Sequence, residues 1–420
     1  MSALHPAGRL SQYLRCHTPQ KVREIAQAWS GSGKWTPEFL EANMPPSIAV
    51  KTSRSSKYFM YNEGNQRHLL PDSAELRDAT SLLSTTPAEM FRLMGGQHKQ
   101  NDVPSGENES WYYFTGRVED LGDDIYEAVD GWRSLVVNPK LSWNVGNPEF
   151  PSVWIGGAGT STTAHYDVMD NTFVQVYGRK KFRLWGPNAV TPLCVFPDLH
   201  VRARKSQISD TEGQRYFDML SNTDYLDVEL GPGDSLFIPA FTFHQVEAME
   251  FSISLNVFSV CQAQIDGGKI LSSDLPTSFC ALTSSSKSNS GSNLAKIVQQ
   301  LLPLVGISSA KNFIKEHLLE ARYSSSELEW IKTHTNACGG QGDVSTLLEV
   351  DDHKLRTIVK RWETMHEGLL KLERSYDPVE GVDGIRTIIF AHLLESWALK
   401  LCEGDPTAVP QCLKDALRVM

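Results

Sequence analysis

Between Trp111 and Val260 the apolar positions come in short runs of strand length: Trp111–Thr115, Ser152–Ile155, Asn171–Tyr177, Lys181–Trp185, Tyr225–Leu230, Asp234–Ile238 and Ser252–Phe258. Gly, Pro and Asn punctuate them at the intervals of an all-β sandwich or barrel. No long helical pattern alternates with them, which argues against a doubly wound parallel sheet and for a two-sheet jelly roll. On either side the period changes. Pro19–Ser30 places Val22, Ile25, Ala26 and Trp29 at helical spacing, and Thr36-Pro37 reads as a helix cap and first turn. Past residue 293, Leu294–Leu304, Ala310–Ala321, His353–Glu373 and Ile385–Cys402 repeat their apolar residues every three or four positions. Gln97–Ser110 is polar enough for a surface loop, and Ser284–Asn293 has the composition of a linker.

The pattern thus predicts a mainly β chain in four parts: 1–110, a mixed helical region packed on the core; 111–265, the jelly roll; 266–293, a linker; and 294–420, a helical region. The segment Ile385–Trp397 is apolar enough to predict a pairing surface, and hence a homodimer through the C-terminal helices, or burial against its own neighbours.

Composition narrows the class. Forty basic against fifty acidic residues in 420 leave a formal charge of −10, so the whole chain is no general polyanion binder. A local exception runs from Gly178 to Lys205, where Arg179, Lys180, Lys181, Arg183, Arg202, Arg204 and Lys205 face Asp198 alone, a stretch able to meet phosphates. Seven cysteines with no C-x-x-C pair predict reduced thiols in an intracellular setting, cytoplasmic or nuclear. No run of apolar residues is long enough for a membrane span, and Met1–Gln20 lacks the apolar stretch of a secretory signal.

The candidate chemistry sits in two blocks. In Thr162-Thr163-Ala164-His165-Tyr166-Asp167, His165 and Asp167 are two apart and share a face of an extended segment, so both can reach one ion. An H-x-D alone is common by chance. The second block, Gly231–His244, is a turn, an apolar strand, a Pro break and then His244, which would return a second imidazole to the same mouth. Two His and one carboxylate leave one face of the ion open, the donor set of oxygen-activating Fe(II) sites. In the neighbouring strands Asn171 lies on a face able to meet the metal, and Lys180 shares a face with Phe182 and Leu184, where an ammonium needs an anion. Lys181 and Arg183 read as solvated.

Taken together, His165-Tyr166-Asp167, Asn171, Gly178-Arg179-Lys180, Gly233-Asp234 with Ile238-Pro239, His244 and Asn256 resemble the JmjC (cupin-type) 2-oxoglutarate-dependent oxygenases. The resemblance implies a double-stranded β-helix, Fe(II) held by His165, Asp167 and His244, and O₂ and 2-oxoglutarate as co-substrates. It also implies that Lys180, assisted by Thr162 and Tyr113 and lined by Asn171 and Asn256, receives 2-oxoglutarate; a one-residue slip would exchange Tyr113 for Tyr112. Within the family the stretches His165–Asn171 and Leu236–Ala240 with Phe243-His244 are most similar to the tRNA wybutosine hydroxylases, and more distantly to asparaginyl hydroxylases of the factor-inhibiting type. The implied activity is hydroxylation of a substrate C–H, on the wybutosine side chain of phenylalanine tRNA or, alternatively, on an Asn, Asp, His or Lys side chain of a protein. A non-catalytic cupin scaffold is the third reading, and the intact His165, Asp167 and His244 weigh against it.

Overall fold

The computed structural model describes residues 20–22, 33–53, 57–58, 81–95, 110–136, 151–200, 202–208, 223–277, 290–320, 322–323, 349–373 and 382–420. Its strands are β1 (Gln20–Val22), β2 (Ile48–Ser53), β3 (Lys57–Tyr58), β4 (Ser81–Thr85), β5 (Trp111–Arg117), β6 (Ser152–Gly156), β7 (Ser161–Thr162), β8 (His165–Tyr166), β9 (Asp170–Tyr177), β10 (Lys180–Trp185), β11 (Tyr225–Leu230), β12 (Ser235–Ile238), β13 (Phe243–Ala248) and β14 (Ser252–Ser259). One sheet runs β1-β12-β9-β14-β6-β5-β2-β4; the second runs β11-β10-β13-β7-β3, with β8 also on β13. Every pairing is antiparallel except β3 with β7. The two sheets close over Phe173, Phe182, Leu184, Leu230, Leu236 and Ile238, the alternate inward positions of β9, β10, β11 and β12.

Tight turns hold this stack. Gly178 takes a φ of +65° between β9 and β10, and Gly233 a φ of +90° between β11 and β12. In the second turn the Gly231 N–H donates to the Asp234 carboxylate at 3.0 Å. The helices are α1 (Pro37–Asn43), α2 (Pro87–Gly95) and α3 (Asp123–Val136), then α4 (Gln262–Leu271), α5 (Ser290–Leu304), α6 (Ala310–Phe313, continued by a π-type turn over Ile314–Glu320), α7 (Asp352–Glu373), α8 (Val382–Leu401) and α9 (Val409–Val419). As the Thr36-Pro37 pair predicts, the Phe39 N–H donates to Thr36 Oγ1 at 3.3 Å.

Two expectations are corrected. The 1–110 region does not merely pack on the core: β2 and β4 extend the first sheet, and Gln20–Val22, read as helix, pairs with β12. The rest of Pro19–Ser30 and nearly all of Gln97–Ser110 lie outside the described residues. The segment 266–293 is not simply a linker. Its start belongs to α4, where Asp266 and Ile270 are buried, and its end opens α5, where the Ser290 hydroxyl donates to the Leu401 carbonyl at 2.8 Å. Residues 278–289 lie outside the described residues.

The C-terminal helices share one core with the jelly roll: Tyr166, Trp185, Phe241 and Phe243 pack in the same cluster as Leu294, Trp362, Phe390 and Trp397. The apolar run in α8 is therefore covered by its own chain, which removes the observation that motivated pairing through it. Four cysteines, Cys194, Cys261, Cys402 and Cys412, are buried and take part in no disulfide. Among the described residues no helix is long and apolar enough to cross a membrane.

Candidate metal centre and cavity

The sequence places one metal ligand on β8 and another at the start of β13, and the fold makes them neighbours. His165 and His244 are direct cross-strand partners, so their side chains stand on the same face. Their ring centroids are 4.2 Å apart, and His244 Nε2 lies 3.5 Å from Asp167 Oδ2. One ligand atom from each of His165, Asp167 and His244 falls within 4.8 Å of the others. Each imidazole is oriented in the same way: His165 Nδ1 lies 2.8 Å from the Thr163 carbonyl, and His244 Nδ1 3.1 Å from that of Thr242. A carbonyl can only accept, so each Nδ1 carries the proton and each Nε2 turns its lone pair toward the shared point. Burial, followed by the neighbouring His244, holds His165 well below the ordinary histidine range, hence neutral. Two imidazoles and a carboxylate, with no thiolate, fit an Fe(II) ion with open positions.

The turn before His244 is tightly specified. Phe241 is left-handed, with a φ of +64°, and its N–H donates to the Asp167 carbonyl at 2.7 Å. The Ala240 N–H donates to Asp170 Oδ1 at 2.9 Å, and burial pushes the Asp170 carboxyl up to about 7. These bonds tie the return loop to the segment between β8 and β9 that carries Asp167 and to the start of β9.

A cavity of about 340 Å³ opens beside the three ligands, and it receives all the other candidates: Tyr113, Thr162, Asn171, Lys180 and Asn256. Lys180 is 2% exposed, Lys181 and Arg183 point the other way, and Asp227 pairs with both of those outward cations. The Lys180 ammonium has no hydrogen-bond or ion-pair partner among the described residues; its Nζ lies 5.4 Å from the Phe173 ring centroid and 6.0 Å from that of Tyr113. Burial lowers its pKa to about 7. Register decides for Tyr113, which lines the cavity, while Tyr112 packs on the opposite cluster. Thr162 Oγ1 accepts from the Val246 N–H at 3.0 Å, which leaves its own proton to donate. Asn171 Oδ1 accepts from Asn256 Nδ2 at 3.1 Å, and Asn256 Oδ1 accepts from Trp154 Nε1 at 2.6 Å.

Sequence reasoning missed Trp154, which locks the Asn256 amide; its strand period, opposite to Val153 and Ile155, was the available signal. It read Arg179–Lys205 as one basic stretch, but the structure divides it. Arg179 pairs with Glu250, and Lys181 and Arg183 with Asp227, whereas Arg204 and Lys205 line the cavity.

The family described as "Cupin-like domain" matches residues 6–259. The chain is 32% identical over 184 residues to tRNA wybutosine-synthesizing protein 5 of Gallus gallus, covering 41% of this chain and 54% of the relative. Against the Homo sapiens protein of that name the figures are 29% over 184 residues, with the same coverage. It is also 31% identical over 106 residues to Lysine-specific demethylase 8 of Xenopus tropicalis, covering 25% of this chain and 24% of that protein. The chain thus spans about half the length of the wybutosine-synthesizing relatives it matches.

Proposed function

This chain belongs to the cupin-like domain family, and from that premise we propose that it is an Fe(II)- and 2-oxoglutarate-dependent dioxygenase that hydroxylates a C–H of its substrate, the wybutosine side chain of phenylalanine tRNA. His165, Asp167 and His244 would hold the iron, which when bound activates O₂ at the expense of 2-oxoglutarate. Lys180 meets the distal carboxylate of 2-oxoglutarate as a buried cation, and the Thr162 hydroxyl donates to the same group. Asn171, fixed through Asn256 and Trp154, presents its amide N–H to the co-substrate. Phe173, Phe182 and Ile238 exclude water around it, which strengthens the pairing with Lys180.

The observation that carries this reading is the conjunction of three convergent metal ligands and one buried, unpartnered lysine in a single cavity. The tRNA substrate is supported by the names of the relatives that match over 184 residues. The test has two readouts. Purified protein given Fe(II) and 2-oxoglutarate should form succinate, faster with wybutosine-containing tRNA, and tRNA from cells lacking the protein should lose hydroxywybutosine by mass spectrometry. Succinate formation with undisturbed tRNA nucleosides would transfer the substrate to a protein side chain. No succinate under any condition would leave a non-catalytic cupin.

A further inference from the structure

Arg204 and Lys205 form a second cationic wall of the cavity that the site described above does not use. Lys205 is the bridge partner of His165, so its side chain stands on the same face as that ligand. Successive residues of an extended chain normally point to opposite sides. Arg204 escapes this because its backbone is left-handed, with a φ of +68°, and both side chains then reach one cavity. A non-glycine residue keeps that conformation only where its surroundings enforce it.

Here they do. The Tyr166 N–H donates to the Arg204 carbonyl at 3.3 Å, the Ser206 N–H to Ala164 at 2.7 Å, and the Phe196 N–H to Lys205 at 2.9 Å. The C-terminal region braces the same loop from behind: the Asp198 N–H donates to Glu395 at 2.8 Å, and Gln207 Nε2 donates to the Arg322 carbonyl at 2.6 Å.

Charge then asks for a ligand. Lys180, Arg204 and Lys205 line the cavity against one carboxylate, Asp167. Under the proposed function a ferrous dication and the 2-oxoglutarate dianion offset each other, and two cations remain in excess. Neither Arg204 nor Lys205 has a side-chain hydrogen-bond or ion-pair partner among the described residues. Arg202, whose guanidinium lies 5.7 Å from the Phe196 ring centroid, adds a third cation to the same segment.

We propose that Arg204 and Lys205 are the substrate-positioning residues of this cavity, and that they bind backbone phosphodiester of the RNA next to the nucleotide presented to the metal. The inference rests on the tRNA reading. Adjacent cations of this kind suit successive phosphates and set register without reading sequence.

The test is binding of a fluorescently labelled anticodon stem–loop of phenylalanine tRNA to the full chain, across a salt titration. Arg204→Asn keeps a residue that tolerates the left-handed backbone, Lys205→Gln removes charge alone, and Lys205→Arg restores it. Each neutral variant is expected to bind about ten-fold more weakly, with the slope of log K against log salt shallower by about 0.7 to 0.9. Lys205→Arg should recover most of both. A neutral methylphosphonate placed at each loop phosphate in turn should weaken wild-type binding at one position and leave Lys205→Gln indifferent there. Neutral variants with wild-type affinity, or weakened variants with an unchanged salt slope, would overturn this inference and leave the tRNA reading standing. Failure of the wild-type chain to bind the RNA would overturn both.

Discussion

Lys180 shows what a single residue can report. A lysine with an ordinary pKa of 10.5 in the open chain and about 7 in the fold is bound to its proton more weakly when folded. Between those values the unfolded chain holds more protons, so the stability of the ligand-free protein should rise with pH, and the cost of burying the charge is full below about 7. Lys180→Met should flatten that dependence and stabilise the ligand-free protein by a few kcal/mol, measured by denaturation at several pH values. Co-substrate affinity should move the opposite way. 2-Oxoglutarate should bind more weakly as pH climbs past 7 and the lysine loses its proton, and Lys180→Ala should raise the co-substrate requirement while iron loading barely changes. His165→Ala should abolish succinate formation with an unchanged circular dichroism spectrum; full turnover by that variant would dismiss the three-ligand assignment.

Most of this was legible because strand alternation is local: once Phe182 and Leu184 face inward, Lys180 must follow. The choice between Tyr113 and Tyr112 was not. It depends on the register of β5, whose Tyr113 pairs with Gly156 of β6.

At the scale of elements, long periodic segments were readable and short ones were not. Helices α5 and α7 begin and end near their predicted bounds because a buried stripe repeated over several turns is a strong signal, and α8 does so as a long apolar segment buried on nearly every side. Strands β7 and β8 have two residues each, too few for any period, yet β8 carries His165. Strand β4 went unread because an edge of a sheet needs only partial alternation, as the mixed burial of Ser81–Thr85 shows.

One close contact gives an element-level prediction. Gly384, in the first turn of α8, lies so near the backbone of Pro187 and Asn188 that an added Cβ would overlap both. Gly384→Ala should therefore push α8 off that turn and lower stability by about 1 to 3 kcal/mol, seen in the denaturant midpoint.

Over the whole molecule, the C-terminal region is joined to the jelly roll by buried polar contacts as well as by core. Arg322 and Glu395, 2% and 0% exposed, lie 3.3 Å apart, and the Tyr166 hydroxyl of β8 meets His392 Nε2 at 3.0 Å. Burial raises the Glu395 carboxyl to about 7 even with Arg322 beside it. Arg322→Met strands that carboxyl and removes donors from the Phe196 and His317 carbonyls, so it should cost about 3 to 5 kcal/mol in chemical denaturation. Combining it with Glu395→Leu should recover much of the loss, because no buried charge is then left alone.

By itself the sequence determined the β-rich core, the helical C-terminal region and the residue types of the candidate metal centre, since alternation, helical period and donor chemistry are all written in neighbouring positions. Only the tertiary structure decided that α8 covers its apolar surface within its own chain, that the basic stretch splits into an outward half paired with Asp227 and Glu250 and an inward half at Arg204 and Lys205, and that Trp154 locks Asn256. Each of these depends on which distant segment arrives opposite, and pairing across a fold is set by packing and register rather than by any local pattern.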